Sequence, residues 1–164
     1  MTDSIDDLRR LLVRDLEALG RELELFPEDA MLWRTLPGVT NSAGNLTLHL
    51  CGNLQYFIGS VLGLSGYVRN RDAEFSRRDV PRSELAADVR ATIAAVTDTL
   101  GRQPPLDLDA VYPAAPNRIQ VSTHRFLVHL ATHLTYHLGQ LNYLRRVLSG
   151  STTSGGAVSI PGLV

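Results

Sequence analysis

Four stretches of the chain place large apolar residues every three or four positions, and that spacing leaves little freedom of fold. The first carries Ile5, Leu8, Leu12, Leu16, Leu19, Leu23 and Phe26, and Pro27 closes it. The second starts near Ser42 or Asn45, either of which suits an N-cap, and carries Leu46, Leu50, Leu54, Phe57, Val61 and Leu64. The third follows "VPRS", with Ser83 as the expected N-cap, and carries Leu85, Val89, Ile93, Val96 and Leu100. The fourth begins at Ser122 or Thr123 and ends about Leu148, with Phe126, Leu130, Leu134, Leu141, Leu144 and Leu148 along one side. At 3.6 residues per turn each set forms one apolar face that must be buried against another helix. The only strand signal is weak, at residues 119–121. The pattern predicts an all-α fold, a single four-helix-bundle domain over residues 1–148.

The connections at 27–41, 67–82 and 101–121 are longer than the turns of a minimal up-down bundle. Long loops in compact domains are often functional, which puts the expected site at one end of the bundle, beneath them. The tail at 149–164, "SGSTTSGGAVSIPGLV" from Ser149, is rich in Gly, Ser and Thr and has linker composition. A neighbouring subunit is the expected partner for it. Together with an uncharged second helix it predicts a homodimer.

Charge and cysteine usage remove several function classes. The formal net charge is −1, so no overall field draws the chain to nucleic acid or to an acidic membrane. All 16 basic residues are Arg, which excludes lysine Schiff-base chemistry. The single cysteine, Cys51, excludes an internal disulfide and a Cys-rich zinc site. It lies on a different side of the second helix from His49 and reads as a small buried hydrophobe. "MTDSIDDLRR" is too acidic for a signal peptide. Residues 42–66 lack charge, yet Asn45, His49, Asn53, Gln55 and several glycines make them a buried helix and not a membrane span. The expected location is the cytoplasm. Gly52, Gly59 and Gly63 share one side of that helix and predict close helix or subunit packing.

The chemistry concentrates in "HLATHLTYHLGQ", residues 129–140, where His129, His133 and His137 recur every four residues. Measured against the apolar stripe of the fourth helix, His137 falls in its middle, His133 at its edge and His129 further round. His124 points away and is expected to be solvated. His49 sits at the edge of the second helix's stripe, near Asn45, Asn53 and Tyr56. A buried imidazole needs hydrogen-bond partners or a metal, and two at i and i+4 can share one ion. Spacing alone equally allows one packed core histidine beside two half-exposed ones. Three neutral imidazoles would suit zinc, nickel or ferrous iron better than magnesium or calcium. Neither helix offers an Asp or Glu, so the charge of a bound cation would stay uncompensated among its ligands and would strongly acidify a bound water or thiol. An assisting carboxylate must come from elsewhere, such as Asp72 or Glu74.

Further candidates surround the histidines. Arg69 and Arg71 in "YVRNRDAEF" form either an anion-binding substrate rim or a salt-bridged loop, and the salt-bridged loop is the preferred reading. Tyr136 and Tyr143 flank the histidine face, as substrate contacts or as packing. Asn53 and Gln140 are placed to orient a ligand or a bound water.

"NSAGNLTLHL" and "HLATHLTYHLGQ" together resemble the DinB/YfiT-like family of metalloenzymes, as does the preceding "WRTLPGVTNS". The likeness covers most of residues 4–148. It implies a four-helix bundle of up-down-down-up type, often dimeric, with one divalent metal ion on His49, His133 and His137 and a water in the remaining position. His129 then lies beside the site. The family often has a basic residue after the last ligand, where this chain has Leu138. Some relatives transfer or isomerise with low-molecular-weight thiols. The resemblance therefore implies a metal-dependent enzyme acting on water or a thiol, as a hydrolase or a thiol S-transferase, on a small-molecule substrate. The rival is a non-catalytic metal- or ligand-binding dimeric bundle.

Overall fold

The computed structural model describes residues 4–156 and Ile160, and its regular elements are all helices, with no strand among the described residues. Five α-helices follow in order: α1 (Ser4–Glu24), α2 (Ala43–Leu54), α3 (Arg71–Ser76), α4 (Arg82–Leu100) and α5 (Thr123–Ser149). α1 packs against α4 and α5, α2 packs against the same two, and α3 docks on α2. The first stripe is buried as expected, from Ile5 to Phe26. Fully burying a leucine contributes on the order of 2 kcal/mol, and four leucines of α1 have no exposed surface at all.

Ser42 caps α2, its hydroxyl accepting from the Asn45 backbone N–H at 3.2 Å. The second helix does not continue regularly to Leu64. Residues Gln55–Ser60 form a π-helical turn, seen in the five-residue bonds from Val61 N–H to Tyr56 C=O and from Gly63 N–H to Ile58 C=O. The extra residue in that turn moves the apolar stripe by one position. Ile58 and Leu62 are buried, whereas Val61 is only half-buried and Leu64 is exposed. Gly59 and Gly63 lie where α4 approaches; a Cβ on Gly63 would come within 2.2 Å of the Thr99 hydroxyl. The small-residue side of this segment thus serves packing within the chain.

Three local expectations are corrected. Ser83 is not the cap of α4, which starts at Arg82 behind Pro81. A distant group does that work, since the Arg82 N–H donates to Asp29 Oδ2 at 3.1 Å. Residues 119–121 form no strand; one antiparallel bridge joins Val111 to Ser122. The 67–82 connection contains α3, capped by Asn70, whose side-chain oxygen accepts from Ala73 N–H at 3.0 Å.

The first part of the tail is held by its own chain. Asn142 donates to Ser154 Oγ at 3.0 Å and Arg21 to the Gly155 carbonyl at 2.8 Å. The expected subunit contact of the rest, 157–159 and 161–164, lies outside the described residues.

Candidate metal centre

α2 and α5 pack together and bring their histidines face to face. His49, His133 and His137 each offer a ligand atom, and these atoms all lie within 4.8 Å of one another. His49 Nε2 is 3.3 Å from His133 Nε2. The His137 ring centre is 4.6 Å from that of His133 and 5.4 Å from that of His49. His49 is buried and the other two are half-buried.

His137 does not occupy the middle of the apolar stripe of α5. That place belongs to Leu127, Leu130, Leu134, Leu138 and Leu141, each 1% exposed or less. α5 packs on both α1 and α2, so its buried face is wider and turned relative to the six residues that define the stripe by spacing alone. His133 and His137 line its edge together. Leu138 is a core residue and not a group at the site's opening.

Hydrogen-bond partners select the tautomers of two of the rings. Glu74 Oε2 lies 2.9 Å from His49 Nδ1, and an ionised carboxylate only accepts, so Nδ1 carries the proton and Nε2 turns its lone pair toward the other histidines. Gln140 Oε1 accepts from His137 Nδ1 at 2.7 Å, with the same consequence for that ring. His133 Nδ1 is buried without a partner. Burial, then the neighbouring His137, His49 and His129, push the His133 pKa down to about 4. His137 is also lowered, by burial first and against the pull of Gln140. Both rings are therefore neutral near pH 7 and free to donate electron pairs. Three imidazoles converging from two helices fit a divalent cation of borderline softness.

Glu74 is the carboxylate that the two helices lack. It is 5% exposed and stands against α2. Arg69 grips it at both oxygens, Nε to Oε1 at 2.6 Å and Nη2 to Oε2 at 2.8 Å. Burial raises the Glu74 pKa, but the hydrogen bonds from Arg69 and His49 outweigh it and hold the carboxyl below its ordinary value. Gly52 makes this approach possible, because a Cβ there would sit 2.4 Å from Glu74 Oε1. Asn45 fastens α3 in place by donating to the Glu74 carbonyl at 2.9 Å and the Arg77 carbonyl at 3.2 Å. Phe75 packs its ring 4.9 Å from His49. Since Arg69 cancels the charge of Glu74, a cation among the histidines keeps its own charge available for chemistry.

The signal for Glu74 was present in the sequence. Asn70 at a cap position, followed by Asp72 and Glu74, marks a helix start and sets which side Glu74 takes. The remaining candidates divide. Asn53 is 8% exposed, one turn beyond His49, and its Oδ1 has no hydrogen-bond partner. His129 is exposed, with its ring centre 6.0 Å from that of His133. Arg69 points into Glu74, and Arg71 lies over the Phe75 ring at 5.2 Å. Tyr136 is exposed with its ring 5.2 Å from His137. His124 is exposed as expected. Cys51 is buried, which pushes its thiol up to about 12 and makes it a poor nucleophile.

None of the curated proteins or solved structures compared with this chain matches it. The family model described as mycothiol-S-transferase matches residues 7–150, which span all three histidines, Glu74 and Gln140. By that match, the chain belongs to the mycothiol-S-transferase family, within the DinB/YfiT-like superfamily that its histidine motifs resemble.

Proposed function

We propose that this chain is a divalent-metal-dependent S-transferase for a low-molecular-weight thiol, mycothiol by the family's description. The observation that carries the reading is the convergence of His49, His133 and His137 with the protons of two rings held outward by Glu74 and Gln140. A divalent ion held there supplies a Lewis acid that lowers the pKa of a thiol delivered to it. Glu74 and Gln140 keep the imidazoles oriented as ligands. Asn53, buried with a free Oδ1, is assigned to hydrogen-bond the thiol substrate or a water. Tyr136 stands at the exposed side of His137, where it would meet a substrate.

Transfer is favoured over hydrolysis by the state of Glu74. A water nucleophile profits from a nearby general base. Glu74 is the carboxylate that touches the cluster, and both its oxygens are engaged by Arg69 and His49. A thiol whose pKa has dropped to ambient pH needs no such base.

Zinc, nickel and ferrous iron all suit the three-imidazole set, and each remains a candidate. We assign the four long helices to an up-down-down-up four-helix bundle and the working form to a homodimer. The dimer is supported by an exposed apolar side of α5, where Val128, Tyr143 and Val147 are at least 40% exposed. No described helix is long and apolar enough to cross a membrane. A cytoplasmic setting agrees with the single unpaired cysteine.

The test is metal analysis of the purified protein, followed by conjugation assays with mycothiol, glutathione and cysteine against alkylating electrophiles. The expected result is about one ion per chain and thiol consumption that a chelator stops. Thiol transfer that persists in His137→Ala would defeat the proposal. Light scattering that gives the mass of one chain at micromolar concentration would defeat the dimer.

A further inference from the structure

The 101–122 connection folds back over the end of α2 and α5. Tyr112 pins it there, donating to the Phe57 carbonyl at 2.6 Å and stacking on Phe126 with ring centres 4.0 Å apart. Beyond Phe126 this connection and α5 bound a cavity of about 270 Å³. Ala115, Pro116, Ile119, Val121 and Phe126 make its apolar walls, and His129 completes them. Among the described side chains of the lining, Arg125 is the one that carries a formal charge. The His129 ring lies 5.9 Å from Phe126 on one side and 6.0 Å from His133 on the other. His129 thus borders the cavity on one side and faces His133 of the cluster on the other.

We propose that this cavity is the acceptor pocket, which takes a small apolar electrophile, neutral or anionic and about the size of one substituted aromatic ring, and directs its reacting carbon past His129 toward the three histidines. The inference rests on the thiol-transfer reading and names the substrate class of that site. An apolar cavity of roughly 150 Å³ accommodates benzene, so the larger space here leaves room for a short substituent that carries the leaving group. A polar thiol would lose its hydration among these walls and find few hydrogen-bond partners, so it reaches the histidines from outside this cavity. Arg125 disfavours a cationic acceptor. In the reaction the thiol proton passes to solvent. The sulfur then uses a lone pair to form the new S–C bond as the carbon–leaving-group bond breaks, and the leaving group departs as an anion with the bonding pair.

Two variants test this. Ala115→Trp fills the cavity, and Ile119→Asp places a charge in its wall without filling it. Both positions lie in a connection, outside every helix that carries a histidine of the cluster. The first measurement is binding of unreactive benzyl alcohol to the purified protein, followed by NMR of the histidine rings. The His129 resonances are expected to shift in the parent protein and to stay unmoved in both variants. The second is thiol transfer to benzyl bromide and to iodoacetamide, which is too small and polar to depend on the cavity. Benzyl bromide kcat/KM should fall roughly 10–100-fold in Ala115→Trp, with iodoacetamide turnover and metal content unchanged. Benzyl bromide transfer at the parent rate in both variants would overturn the pocket alone. His129 shifts without transfer to any electrophile would overturn the transfer reading, and with it the acceptor role, while leaving an apolar ligand site.

Discussion

Two buried Arg–Glu pairs serve different regions of this molecule. Arg69 and Glu74 are five residues apart and stand beside His49, with side chains 12% and 6% exposed. Arg145 and Glu22 are separated by 123 residues, join α5 to α1 at 2.6 Å, and have no exposure at all. In the first pair one carboxylate oxygen also accepts the hydrogen bond of His49 Nδ1–H, so the pair sets a tautomer. In the second the remaining capacity goes to structure: Asn142 donates to Glu22 Oε1 at 2.7 Å and the Gly155 N–H binds the same oxygen. The same ion pair thus orients a candidate ligand where its third partner is a titratable ring, and anchors the chain where its third partners are an amide and the backbone. Removing one member of a fully buried pair should cost stability, and removing the carboxylate beside the histidines should cost metal affinity.

The largest effect should come from the cluster itself. His137→Ala should reduce bound metal from about one ion per chain to none, while His124→Ala retains it, by metal analysis of the dialysed proteins. The opposite outcome would place the site on another face of α5.

Next is Arg145→Ala, which leaves Glu22 buried and unpaired. It should lower unfolding stability in urea by about 3–5 kcal/mol, with metal stoichiometry kept in the folded fraction. A loss of metal without a loss of stability would erase the contrast between the two pairs.

Glu74→Gln should weaken metal binding by about 10–100-fold in a chelator competition and change stability less than Arg145→Ala does. Gly52→Ala sharpens this point. Such a change inside a helix ordinarily stabilises by up to about 1 kcal/mol, but here the new Cβ displaces Glu74 and should reproduce the affinity loss. Unchanged affinity in both variants would mean that Glu74 plays no part in orienting His49.

The metal-free protein should lose stability as the pH falls through the window from 6.5 to about 4. Below its ordinary pKa of 6.5 the unfolded His133 takes up a proton that the folded ring refuses until about 4, so protonation favours the unfolded chain. Glu74, also lowered in the folded protein, adds to the loss as the pH drops below its ordinary value. Urea midpoints that stay flat across this window would contradict the burial of the ring. The smallest effect is expected for His129→Ala, which should keep stoichiometric metal with an affinity change below about tenfold. Complete metal loss there would move the centre one turn toward the start of α5.

The helices were legible because an apolar stripe is a local property. Every residue of the first stripe, Ile5 to Phe26, is buried, and α4 shows the same for Leu85, Val89, Val96 and Leu100. Ser42 capped α2 as its position suggested, because a cap depends on neighbours three residues away. The three clustered histidines were readable from four-residue spacing joined to a motif likeness, and the structure brings them together. The π-helical turn was not readable, since one added residue leaves composition unchanged while rotating everything after it.

By itself, then, the sequence determined which segments are helical, which side of each is apolar, and that His49, His133 and His137 are the candidate ligands. Tertiary structure alone decided what surrounds them. Glu74 reaches His49 only because α3 docks on α2 over Gly52, and α5 turns His133 and His137 to its edge because it packs on two helices at once. Glu22 finds Arg145 across 123 residues, a separation at which no local pattern can carry the pairing. Periodicity acts over a few residues of chain, whereas the burial of charge and the meeting of ligands depend on which faces pack together.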